Sequence, residues 1–128
     1  MVTPSPFTRD LARRLLTTSR NAADPHVHEA VAVCEKLRIV LTRFAGADGF
    51  AALLRRALAL ARTEDSSLQS VELGSNCHME GLENVTPDAA AALTAHLLGL
   101  MVTFIGEPLT LVLVSDAWPE VTGESLIE

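Results

Sequence analysis

The sequence predicts a mainly α domain: about five helices around one core, with a small β-hairpin between the third and fourth. Three observations support this reading. Ala and Leu dominate and Tyr is absent, a bias toward helix and away from sheet. Three cap-plus-proline pairs, Ser5-Pro6, Asp24-Pro25 and Thr86-Pro87, each precede apolar residues at helical spacing. Between Ala89 and Gly106 there is no charged side chain at all.

After Ser5-Pro6, the apolar Phe7, Leu11 and Leu15 recur every fourth residue and predict a first helix over about 6–20. Arg9, Arg13 and Arg20 fall within about 40° of one another on its other side. After Asp24-Pro25, a second helical stripe runs through Val27, Ala30, Val31, Cys34, Leu37, Leu41 and Phe44, and Gly46 supplies the stop. Val33, Ile39 and Val40 lie off that stripe, so this helix is apolar on more than one face. It is either central or pressed against a second chain.

Asp48 is the expected cap of a third helix, with Phe50, Leu53, Leu54, Ala57, Leu58 and Ala61 inward and Arg55, Arg56 and Arg62 outward. The short Gly46–Asp48 connection predicts antiparallel packing of the second and third helices. From Thr63 to Val85 the helical period disappears. "SLQSVEL" and "CHMEGLE" flank "GSN", which reads as a hairpin turn. Thr86-Pro87-Asp88 starts the fourth helix with an acid in its first turn. In "LTLVLVSDAW" the β-branched residues suit a strand. The spacing of Leu109, Val112 and Leu113 and the Gly106–Pro108 restart favour a fifth helix. Residues 1–5 and 119–128 read as frayed ends of a single domain spanning 1–128.

The uncharged run Ala89–Gly106 makes about 27 Å of helix, slightly short of a bilayer core, and no Lys or Arg flanks it. It reads as a buried helix and not as a membrane span. Leu93, Leu97, Leu100, Met101 and Phe104 form a large apolar face. Ala92, His96, Gly99, Thr103 and Gly106 form a narrow opposite stripe. Two placements remain open: a core helix within one chain, or a core helix that also builds a contact between two copies.

The chain has 128 residues and a net charge of −6, which argues against nucleic acid as a partner. All ten Lys and Arg fall between Arg9 and Arg62. Residues 1–62 hold ten basic and five acidic residues (+5); residues 63–128 hold the other eleven acids and no Lys or Arg (−11). Either the halves neutralise each other on folding, or the two signs face separate partners.

No catalytic constellation emerges: phosphate-binding glycine loops, nucleophile elbows, zinc-protease motifs and calcium loops are missing. "HVHE" and "CHME" place His26, His28, Cys77 and His78 as candidate metal or small-ligand groups. Each pair, however, points to different faces of its own element. Cys34 sits on an apolar stripe as a core thiol. The N-terminus lacks a secretion signal, so the cytoplasm is the expected compartment. No cofactor is predicted.

"RFAGADGFAALLRRALALAR" and "HLLGLMVTFIGEPLTLVLVSDAWPE" resemble segments of a family of small bacterial helical proteins for which no activity is assigned. The likeness covers about half the chain, in mostly core-building residues. It implies a bacterial origin and helix through "EPLTLVLVSDAW", and it transfers no site residue. Together these features predict a non-enzymatic interaction or regulatory module, a two-fold homodimer with a further protein partner. Its contact residues would be Arg9, Arg13, Arg20, Ile39, Val40, His96, Gly99 and Thr103. The alternative is a small-ligand or metal-binding protein using the His and Cys side chains.

Overall fold

A computed structural model describes residues 6–22, 29–73, 79–81 and 85–118, and over these the protein is mainly helical. In order come α1 (Pro6–Ala22), α2 (Glu29–Glu64), a 3-10 segment (Ser66–Ser70), β1 (Glu72–Leu73), β2 (Met79–Glu80), α3 (Pro87–Ile105) and α4 (Glu107–Ala117).

The local start signals act as their chemistry dictates. Thr86 is the N-cap of α3: its hydroxyl accepts the Ala89 N–H at 3.0 Å, Pro87 follows at the first helical position, and Asp88 lies in the first turn. Such a cap stabilises a helix by about 1 kcal/mol. α1 begins at Pro6. The residues around Asp24-Pro25 and the expected frayed ends lie outside the described residues.

The predicted second and third helices are the two arms of α2, separated by a kink at Gly46, where the backbone is non-helical with φ +76°. That left-handed conformation favours glycine. Three residues on, a Cβ at Gly49 would stand 2.7 Å from the Ala45 Cβ, so the two arms of α2 close on each other at a distance only glycine allows. The expected stop is therefore present, but without a loop. Asp48, expected as a cap, lies two residues past the break, at the start of the second arm.

The predicted hairpin shrinks to a single two-residue bridge, pairing Glu72 with Glu80 and Leu73 with Met79. The expected first strand is mostly spent on the 3-10 turn. Asp65 caps that turn by accepting the Ser67 N–H at 2.9 Å, and Leu68 is buried beneath it. Arg62, expected to face outward, folds back and donates to the carbonyls of Leu68 (3.2 Å) and Val71. Two carbonyls engaged by one guanidinium hold this segment against the end of α2, in a shape an extended strand cannot keep. The "GSN" turn lies outside the described residues.

α3 is the centre of the core. Every residue from Ala89 to Leu98 is buried, packed chiefly against α2 and α1. The four alanines Ala89–Ala92 let neighbouring helices approach its first turns closely, and Leu93, Leu97 and Met101 fill the space beyond. By length and composition α3 could cross a bilayer, but 61% of its most apolar window is covered within the chain. Toward its end the cover thins, and Thr103 and Phe104 are exposed.

α1 contributes Leu11, Ala12, Leu15 and Leu16; Phe7, in its first turn, stays on the surface. From α2 come Val33, Cys34, Leu37, Val40, Leu41, Phe50, Leu54, Ala57, Leu58 and Ala61. Val33 and Val40, off the predicted stripe, are thus core residues of the single chain, whereas Ile39 faces solvent. α4 is helical, as the Gly106–Pro108 restart indicated, and buries Thr110, Leu113 and Val114. Its C-terminal end is held by Lys36 of α2. The ammonium donates to the Ala117 carbonyl at 3.3 Å and lies 5.1 Å from the centroid of the buried Trp118 ring. A cation there also complements the negative end of the helix dipole.

Burial within the single chain sets the cost of truncation. Leu97→Ala is expected to lower unfolding free energy by about 3 kcal/mol, the loss of a fully buried leucine. Ile39→Ala should cost less than about 1 kcal/mol in urea titrations at low protein concentration.

Candidate functional site

A polar seam crosses the junction of α1, α2 and α3. Glu64, the last residue of α2, is its hub. One carboxylate oxygen lies 3.1 Å from a guanidinium nitrogen of Arg9 on α1, and the other meets Nε2 of His96 on α3. His96 is sealed in, its side chain 2% exposed, while that of Glu64 is 32% exposed. An ionised carboxylate only accepts, so the imidazole donates through Nε2–H. The Arg9 hydrogen bond above all holds the Glu64 carboxyl below its ordinary pKa; burial opposes it, and the bond from His96 adds to the lowering.

The seam continues on both sides. Arg13 of α1 reaches Asp88 at the start of α3 (3.3 Å), and the Thr86 hydroxyl donates to Asp65 at 3.5 Å. Asp65 is also held below its ordinary pKa, first by the Ser67 backbone N–H. These contacts join α1, the end of α2 and α3 through groups of opposite sign. Chemically the arrangement is a shared-acceptor clamp: one carboxylate serves a guanidinium and an imidazole together.

Sequence reading placed Arg9, Arg13 and His96 in a candidate contact surface and missed Glu64. A signal for it existed. An acid in the last turn of a helix opposes the helix dipole, so Glu64 needs a partner from elsewhere in the fold. The structure brings Arg9 and His96 together on that carboxylate, while Arg13, one turn further along α1, pairs with Asp88 instead. Val40 is buried in the core, Gly99 is half-buried, and Ile39 and Thr103 are exposed, Thr103 donating to the Gly99 carbonyl at 3.1 Å. Nothing is described of the Arg20 side chain. His26, His28, Cys77 and His78 lie outside the described residues. Among the described residues no group of three or more His, Cys, Asp or Glu side chains converges on a metal-sized site. Burial pushes the Cys34 thiol up to about 12, so it stays protonated and unreactive at neutral pH.

The sign of the pH effect follows from Glu64. A carboxyl with a lowered folded-state pKa adds stability that is present above its unfolded pKa and is lost as pH falls through the folded one. Glu64→Gln should therefore cost about 1 kcal/mol at pH 7, a modest figure because the carboxylate is partly solvated. The gap between the two proteins should close as pH falls from about 5 to about 3, measured by thermal melts across pH.

No family model, curated protein or solved structure matches this chain.

Proposed function

We propose that this chain is a non-enzymatic interaction module that works as a homodimer, with Ile39, Phe104 and Val112 forming its apolar contact. A further protein partner then binds the paired form. One observation supports the reading above all. A chain that buries the whole of Ala89–Leu98 still leaves these three large side chains 56%, 57% and 53% exposed. Phe104 and Val112 flank the α3–α4 junction at Gly106, where the core cover thins. Exposed apolar groups of this size commonly mark interaction sites. The internal pairing of Arg9 and Arg13 removes them from the contact and leaves the apolar side chains as its main component.

Light scattering at high micromolar concentration is expected to give about twice the chain mass of 13.7 kDa. A monomer mass there would remove the reading. Phe104→Asp combined with Val112→Asp should weaken the dimer roughly a hundredfold, the effect of about 3 kcal/mol of lost apolar contact, with helical content unchanged by circular dichroism.

A further inference from the structure

We infer that the two copies are oriented by a reciprocal charge contact: Arg55 and Arg56 on α2 of one protomer meet the carboxylates of Glu72 and Glu80 on the β1–β2 bridge of the other. This inference rests on the homodimer reading above and adds the electrostatic part of the interface.

The pairing of charges inside the chain leads to it. Arg9, Arg13, Arg14 and Arg38 each engage a carboxylate, and Lys36 and Arg62 engage backbone carbonyls. Among the described residues Arg43, Arg55 and Arg56 do neither, and of these Arg55 and Arg56 stand side by side. Both are exposed on the second arm of α2, flanked by the exposed small residues Ala52 and Ala59, which leave room for another surface to reach the guanidinium groups.

The acidic counterpart shows the same imbalance. Glu72 and Glu80 are direct register partners on the bridge, and both are exposed. Like charges directly opposite across a strand pair destabilise it, and neither carboxylate meets a cation within the described residues. Two neighbouring carboxylates without cations match two neighbouring guanidinium groups without anions, since guanidinium recognises carboxylate through paired N–H donors.

The placement suits a two-fold arrangement. Arg62 fixes the base of the bridge to the end of α2 through the Val71 carbonyl. Arg55 lies seven residues earlier on the same arm, about 10 Å along the helix. One two-fold axis between the patches makes the contact twice. A second copy of this chain is thus an occupant whose chemistry is complementary to both patches at once.

The test is a charge swap, with dimer dissociation measured by analytical ultracentrifugation in EDTA so that no divalent cation bridges the carboxylates. Arg55→Glu with Arg56→Glu should weaken self-association by about tenfold or more. Glu72→Arg with Glu80→Arg should weaken it similarly, although it moves the net charge from −6 to −2 and so lowers overall repulsion. Mixing the two variants should restore a heterodimer near wild-type affinity, which also shows that both are folded. Wild-type affinity should fall about tenfold between 0.05 and 0.5 M salt. If the wild type dimerises but both swaps leave dissociation within twofold, or the glutamate swap tightens it, the charge contact is wrong while the homodimer stands. If the wild type is monomeric throughout, both fall. A salt-independent dimer would likewise overturn the charge contact alone.

Discussion

The structure depends on covering one helix. α3 begins with four alanines, continues through leucines, and has no charge after Asp88, so water is a poor solvent for nearly all its faces. α1 and both arms of α2 supply that cover, and α2 must bend to do so. The break at Gly46 and the glycine-only approach at Gly49 let one long element supply two walls. Small residues at the start of α3 bring its neighbours close, and large ones farther along fill the widening space. Where the walls end, near Phe104, the side chains of α3 emerge into solvent.

Electrostatics follows from the same packing. The basic first half and acidic second half of the chain meet where α1 and the end of α2 lie against α3. Arg9 and Arg13 find carboxylates at Glu64 and Asp88, and His96 shares Glu64. A buried imidazole without a hydrogen bond would be costly, and Glu64 removes that cost while gaining compensation for its own unfavourable place at a helix terminus. Part of the charge asymmetry is therefore internal. Among the described residues left outside these pairs are two adjacent arginines on α2, Arg55 and Arg56, and two glutamates facing each other across a two-residue bridge.

The surface thus separates into groups satisfied within the chain and groups that are not. Arg38, Arg14 and Lys36 belong to the first kind, being held by local ion pairs or by a helix end. Ile39, Phe104 and Val112 belong to the second. The proposed self-association draws on such a division, since a partner gains most from groups whose interactions are not already made.

Much of the helical framework was determined by the sequence alone, because caps, prolines and periodicity act over three or four residues. Thr86-Pro87-Asp88 starts α3, Gly46 breaks α2, and Gly106–Pro108 restarts the chain as helix despite its β-branched residues. Tertiary structure alone decided the rest. Val33 and Val40 became core because two helix arms fold over the same neighbour, a fact no single-helix wheel contains. Arg62 turned inward because carbonyls six and nine residues later, at Leu68 and Val71, came within its reach, and the expected hairpin shortened accordingly. Glu64 and His96, 32 residues apart, became partners only when α2 lay against α3. Local chemistry fixes where helices begin and end; which side chains are buried, paired or left to solvent depends on contacts between residues distant in the chain.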